Sequence, residues 1–230
     1  TYRCPTSHVA LAQRIVPQIE ARENAPVGDV EQISEVTMAT KVHDGDMVIC
    51  RINAPLVSIA FDLIRKGIKA MIRGRDIGKN LSMLADKIGG QTLDDFYRNL
   101  SEYSQREMRH LVRRDAPETQ LQALQDKVDT LYAIAAECNA PSEIGLKIDS
   151  LFSDEINGVV LSSVHRAKGL ESERVFIVRP ELMPFSKAKQ DWEIEQEYNC
   201  LYVALTRSKS QLYFVGAQPG LLQGETNEEV

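Results

Sequence analysis

Cysteines are few and scattered: Cys4, Cys50, Cys138 and Cys200 form no CxxC pair in 230 residues. That spacing excludes a disulfide framework and a zinc ribbon, and reads as reduced thiols of a cytoplasmic protein. No apolar run reaches the roughly 18–20 residues of a membrane helix, and no signal-peptide pattern opens the chain, so no membrane partner is expected. Aromatic residues make up only 6%, too few to nominate any one as a base-stacking platform. A P-loop of the form G-x-x-x-x-G-K-[ST] is missing as well. Gly67 to Lys79 holds glycines and lysines at the wrong spacing, and no Asp-Glu pair follows a buried strand to hold a metal. No residue is therefore nominated as a metal ligand. The chain opens on Thr1-Tyr2-Arg3-Cys4-Pro5 without an initiator methionine, which reads as a piece of something longer.

The composition itself is that of an ordinary globular protein, 43% hydrophobic and 26% charged. This length can bury a substantial core, as one large domain or one domain carrying an insert. A net charge of −6 argues against a protein that simply coats nucleic acid. It does not exclude a local groove for phosphates, since binding depends on local charge. Two basic runs stand out, one from Arg65 to Lys79 and one at Arg106, Arg109, Arg113 and Arg114. Either could be a solvated helix face or a nucleic-acid contact.

Along the chain, Val9 to Glu20 has Leu11, Ile15 and Ile19 at helical spacing, with Thr6 or Ser7 able to cap it. Val30 to Val36 alternates like a strand, and Met47-Val48-Ile49-Cys50 is a short apolar run suited to a buried parallel strand. A helix over Leu56 to Lys66 ends at Gly67, a C-cap glycine, before a strand over Ile68 to Ile72. The pattern recurs later, with strands at 158–163, 174–178 and 211–216 and a helix over Glu193 to Thr206. Strands alternating with helices predict an α/β fold with a mostly parallel sheet flanked by helices. The stretch from Ile77 to Asp149 is helical and charged instead, with a linker near Asn139-Ala140-Pro141-Ser142. The expected organisation is one discontinuous α/β domain, residues 1–76 and 150–230, interrupted by a small helical insert at 77–149.

Two segments carry chemistry. Ser163-Val164-His165-Arg166-Ala167-Lys168-Gly169-Leu170-Glu171 follows a predicted buried strand, where α/β sheets bind ligands. Gly169 would let backbone N–H groups approach a phosphate or sugar, and Glu171 could accept from ribose hydroxyls. A polar βα loop in which Gly169 merely serves a turn reads equally well. Glu197-Tyr198-Asn199-Cys200-Leu201-Tyr202-Val203-Ala204-Leu205-Thr206-Arg207 ends a helical run on a guanidinium. Its planar fork suits phosphate oxygens, but taken alone the segment reads first as a C-terminal arginine offsetting the helix dipole.

Both segments resemble motifs of the UvrD/Rep family of superfamily 1A DNA helicases, T-x-H-x-A-K-G-L-E (motif V) and Y-V-A-x-T-R (motif VI). Tyr2-Arg3 and Arg51-Ile52-Asn53 are similar to the family's Y-R and R-T-N elements, in family order, so the resemblance spans nearly the whole chain. It implies the second RecA-like domain of an ATP-dependent helicase or translocase, a P-loop NTPase-type fold lacking the P-loop. It further implies that Arg3 and Arg207 are arginine fingers to the γ-phosphate, and that Lys168, Gly169 and Glu171 shape the ATP ribose edge. Arg51, Asn53, Ser163 and His165 would grip single-stranded DNA. Magnesium and the phosphate cradle would belong to an absent N-terminal RecA-like domain of the same polypeptide, so this chain alone is expected not to hydrolyse ATP. The chain departs from the family at Ser172, where Phe is usual, and at Tyr198-Asn199, where Arg-Arg is common. A Q-E-x-N variant matching Gln196-Glu197-Tyr198-Asn199 also resembles members of the wider family. Alternatives are a non-catalytic RecA-like module that binds nucleotide or a protein partner, and the motor part of a helicase–nuclease.

Overall fold

A computed structural model describes residues 4–155 and 158–222. Seven strands form one sheet in the order β1-β7-β6-β2-β5-β3-β4, and every adjacent pair runs parallel. The strands are β1 (Asp29–Ile33), β2 (Met47–Cys50), β3 (Ala70–Arg73), β4 (Phe152–Ser153), β5 (Val159–Ser163), β6 (Ser172–Val178) and β7 (Ser208–Val215). The predicted α/β class holds, and the sheet is wholly parallel among the described residues. The central strands are buried from end to end because both faces are covered. Alternation along β2 divides the core: Val48 and Cys50 join one apolar cluster, Met47 and Ile49 the other.

Eight α-helices lie among the described residues: α1 (Thr6–Ala12), α2 (Glu35–Lys41), α3 (Ala54–Arg65), α4 (Arg75–Ile88), α5 (Leu93–Arg113), α6 (Glu118–Ala135), α7 (Ser142–Leu151) and α8 (Asp191–Leu205). α3 closes as its sequence predicts, with Gly67 at φ 78° and the Ile68 N–H donating back to Leu63. α1 is shorter than its apolar spacing suggests. It stops before Pro17, which lacks an N–H and turns the residue before it away from helical backbone. Its cap is Pro5, not the Thr6 or Ser7 hydroxyl. The expected strand to Val36 ends at Ile33, because the Ser34 hydroxyl accepts from the Thr37 N–H at 3.1 Å and starts α2.

α4 to α7 fill the region between β3 and β4. Phe96, Leu100, Leu124, Leu131, Ile144 and Ile148 lie in the same apolar cluster as Val48 and Leu161 of the sheet. These helices therefore pack into the sheet's own apolar layer against α3. Asn139 to Pro141, read from sequence as a linker, is the turn between α6 and α7. On the other face, α8 packs Leu201, Ala204 and Leu205 against Ile49, Val175, Ile177 and Phe214.

Candidate functional site

The segment from Ser163 to Ser172 organises the polar residues. β5 and β6 are parallel and lie on either side of β2, so the chain leaving Ser163 must return to the opposite end of the sheet. Register places Ser163 level with Cys50 and Val178, while Ser172 lies six residues below Val178, about 20 Å along the strand direction. The connection crosses the α8 face as a series of turns, with Arg166 and Ala167 N–H groups donating to Ser163 and Leu170 to Ala167. Val164 and Ala167 are buried under α8, with Leu170 packed beside them. His165 thus sits at the carboxyl end of the sheet and Glu171 at the amino end.

At the carboxyl end, Arg51, Asn53, Ser163 and His165, four of the residues singled out from sequence, line one cavity of about 280 Å³. Arg51 follows β2 directly, and its guanidinium grips Glu197 in a fork. Nε donates to Oε2 at 2.9 Å, and Nη2 donates to Oε1. Glu197 is 2% exposed and also accepts from the Phe185 N–H at 3.1 Å. Burial pulls the Arg51 pKa down, and the bonds and charge of Glu197 more than reverse it. His165 keeps solvent exposure, with Nε2 3.3 Å from the Cys200 sulfur. Desolvation and then the Arg51 charge hold its pKa below 6.5. Burial pushes the Cys200 thiol up to about 11, so it is no thiolate.

The fourth wall comes from α6. Thr119, Gln122, Ala123 and Asp126 face the cavity at the spacing of one helix face. Asp126 accepts three hydrogen bonds: Oδ1 from the Asn53 and Ala54 N–H groups at 2.8 and 3.0 Å, Oδ2 from Asn53 Nδ2 at 2.8 Å. A side chain from a distant helix therefore satisfies the first N–H groups of α3, whose own cap makes no side-chain bond. Desolvation raises the Asp126 pKa, and those three bonds oppose the rise. Thr119 Oγ1 donates to Glu193 at 3.0 Å, tying α6 to α8 as well. Sequence reading missed Asp126, Thr119 and Gln122 and gave Glu197 no role. The α6 residues carry no motif, and only their spacing of 119, 122 and 126 on a helix marks them.

At the amino end, Arg207 lies just before β7 and is 7% exposed. Nε donates to Val203 O at 3.0 Å, Nη1 to Leu170 O at 3.1 Å and Nη2 to Thr206 Oγ1 at 3.1 Å. Its charge thus rests at the last turn of α8 and against the 163–172 segment together. Gly169 adopts φ 90° with nothing within 4 Å of where a Cβ would stand, so it serves the turn and leaves the outer face open. Lys168 is exposed, and Glu171 pairs with Lys209 at 3.5 Å. Ser172, standing where the resembled motif has Phe, donates its hydroxyl to Gly45 O at 2.8 Å and its N–H to Arg207 O at 3.1 Å. Arg3 lies outside the described residues, but its neighbour Cys4 is buried, with Sγ 3.6 Å from Thr206 O. Among the described residues no group of three or more His, Cys, Asp or Glu side chains could hold a metal ion. None of their helices is long and apolar enough to cross a membrane.

The two basic runs differ in setting. The Arg65–Lys79 run is spread over three elements, with Arg65 bonded to Asp62 and Glu137. Arg106, Arg109 and Arg113 lie along α5.

A parallel sheet covered on both faces, with polar residues gathered at both ends of its central strands and joined by the 163–172 crossover and by α8, defines the class of domain. The family described as UvrD-like helicase C-terminal domain matches residues 85–218, and the chain belongs to it. It is similar to the ATP-dependent DNA helicase PcrA of Staphylococcus epidermidis ATCC 35984, 35% identical over 97 residues, 40% of this chain and 13% of that protein. The PcrA of Staphylococcus aureus Mu50 is 36% identical over 91 residues, 37% of this chain and 12% of that protein. The match thus spans about an eighth of these relatives' length. Among solved structures, the C-terminal domain of a possible DNA helicase from Lactobacillus plantarum aligns over 96% of this chain and 92% of its own, at TM-score 0.42 and 14% identity.

Proposed function

We propose that this chain is the second motor domain of an ATP-dependent DNA helicase or translocase, contributing arginine fingers to ATP and part of the grip on single-stranded DNA. The observation that carries the reading is the 163–172 crossover. It ties a cavity lined by Arg51, Asn53, Ser163 and His165 at one end of the sheet to Lys168, Gly169, Glu171 and Arg207 at the other. Family membership and the likeness to DNA helicases supply the direction of the chemistry.

The amino-end residues suit a nucleotide approached from outside the chain. Glu171 offers a carboxylate to ribose hydroxyls, Lys168 and Arg207 offer cations to phosphate oxygens, and the open face at Gly169 admits the ligand. Bound ATP would supply the phosphoryl group whose transfer drives stepping. The phosphate cradle and the magnesium ligands would come from an N-terminal RecA-like domain, so this chain by itself would not turn over ATP. In the described arrangement the Arg207 guanidinium is turned inward onto Leu170 O and Val203 O. Reaching a γ-phosphate would release those carbonyls, one of which belongs to the crossover itself. Arg3 would be the second finger, a reading supported by the contact of Cys4 with Thr206.

The test is DNA-stimulated ATP turnover in a protein that joins this chain to its P-loop domain, wild type against Arg207→Ala. An arginine finger is worth roughly 10³–10⁵ in kcat, so a loss of about 10³-fold or more is expected. Turnover as fast as wild type would leave Arg207 a helix-end charge, and the non-catalytic binding module would take over as the reading.

A further inference from the structure

We propose that the carboxyl-end cavity receives the edge of a nucleobase rather than a phosphate, and that α6 supplies the base contact through Gln122, with Asp126 as the residue that positions Asn53. The proposal rests on the single-strand reading above and deepens it.

The charges in the cavity decide between the two parts of a nucleotide. Arg51 is the cation of this wall, and its fork is committed to Glu197. Asp126 brings a carboxylate held by three neutral N–H donors, with no cation among those partners. His165 is neutral at pH 7, since its pKa lies below 6.5. One cation against two carboxylates makes the lining net negative, and a phosphate entering it would meet repulsion instead of a counter-charge. A nucleobase is neutral and presents N–H donors alongside carbonyl and ring-nitrogen acceptors. The cavity matches that mixture: the amides of Gln122 and Gln196 are both donor and acceptor, and the hydroxyls of Thr119 and Ser163 and the carboxylate of Asp126 accept. An exocyclic amino group such as cytosine N4 pairs naturally with carboxylate or amide oxygens. Phosphates would then be held outside the cavity, by cations beyond its rim.

α6 belongs to this site because of where its face points. Thr119, Gln122 and Asp126 occupy one stripe, and its two ends are fixed to different elements. Thr119 bonds Glu193 of α8, and Asp126 bonds the loop that starts α3. Gln122, half-buried between those ties, faces the cavity at their midpoint. The Asp126 bond to Asn53 Nδ2 fixes the orientation of that amide, because a carboxylate only accepts. Asp126 thereby acts through Asn53.

Fluorescence anisotropy with this chain, using an oligodeoxycytidine of roughly ten nucleotides and an abasic strand of equal phosphate count, separates the possibilities. Gln122→Ala and Asp126→Asn should each weaken oligodeoxycytidine binding about three- to ten-fold and leave both the abasic affinity and the salt slope unchanged. Thermal melting of each variant checks that the fold persists. A phosphate in the cavity predicts the reverse for Asp126→Asn: tighter binding of both strands and a steeper salt slope, which would overturn the proposal. Equal weakening towards both strands would overturn it too, and would leave the single-strand reading standing. Failure of the wild-type chain to bind either strand would remove the single-strand reading and this inference together.

Discussion

His8 has 0% exposure, and its ring donates from Nε2 to Asp29 O at 3.2 Å. Burial holds its pKa below 6.5, against the opposing pull of the Asp29 and Ser208 backbone groups. In the window between that depressed value and 6.5 the unfolded chain binds the proton and the folded chain does not. Stability from His8 is therefore complete above pH 6.5 and is lost as pH falls through the folded value. Urea denaturation at pH 7 and at pH 5.5 should show a smaller loss of stability in His8→Leu than in wild type, and an equal loss would exclude His8 as the source. The same scale shows how far residues can be read from sequence. Arg51 and His165 were legible because they sit in motifs. Their partners Glu197 and Asp126 lie 146 and 73 positions from the residues they hold, Arg51 and Asn53, and no local pattern encodes such a distance. Arg207 was legible as a cation at a helix end, but not as one turned onto three oxygens of its own chain.

Helices and strands were legible where local chemistry and tertiary packing agree. β2, β5 and the main body of α3 follow their apolar patterns, and Gly67 ends α3 as glycine does. α1 and α2 diverged where one residue, Pro17 or Ser34, outweighs the periodicity of its neighbours. β4 is two residues long and exists only through pairing with β3, so no run of sequence marks it. Packing of elements also gives two helical glycines opposite values. A Cβ on Gly78 of α4 would come within 2.6 Å of the Phe152 Cβ, in a buried contact between α4 and β4. Gly78→Ala should therefore cost about 1–3 kcal/mol through overpacking, despite alanine's better helix propensity. On α7, a Cβ at Gly145 would meet only the Ser82 hydroxyl at 3.8 Å. Gly145→Ala should stabilise by about 0.4–1 kcal/mol by restricting the unfolded chain. Chemical denaturation of the two variants checks both signs, and a stabilising Gly78→Ala would contradict the close approach of α4 to β4.

Across the whole molecule the sheet's own height separates the two groups of polar residues, and among the described residues both the 163–172 segment and the stretch from Glu197 to Arg207 run from one to the other. Eight residues lie between Ser163 and Ser172, and they cover about 20 Å while coiled, a little over 2 Å per residue, close to the rise of a 3₁₀ turn. A fully extended stretch would reach about half as far again, so the segment is neither taut nor loose. It is held at that length by Ala167, which has 0% exposure beneath α8. A tether of fixed length passes on whatever displaces either end, whereas slack absorbs it. One extra glycine after Lys168 would leave His165, Glu171 and Arg207 chemically intact while adding slack between them. On the proposed function, and in a protein joined to a P-loop domain, that insertion should lower the stimulation of ATP turnover by single-stranded DNA more than it lowers basal turnover, and an equal loss of both would count against coupling through this segment. On the proposed function, the height of a parallel sheet would then set the number of residues placed between the nucleotide and the strand.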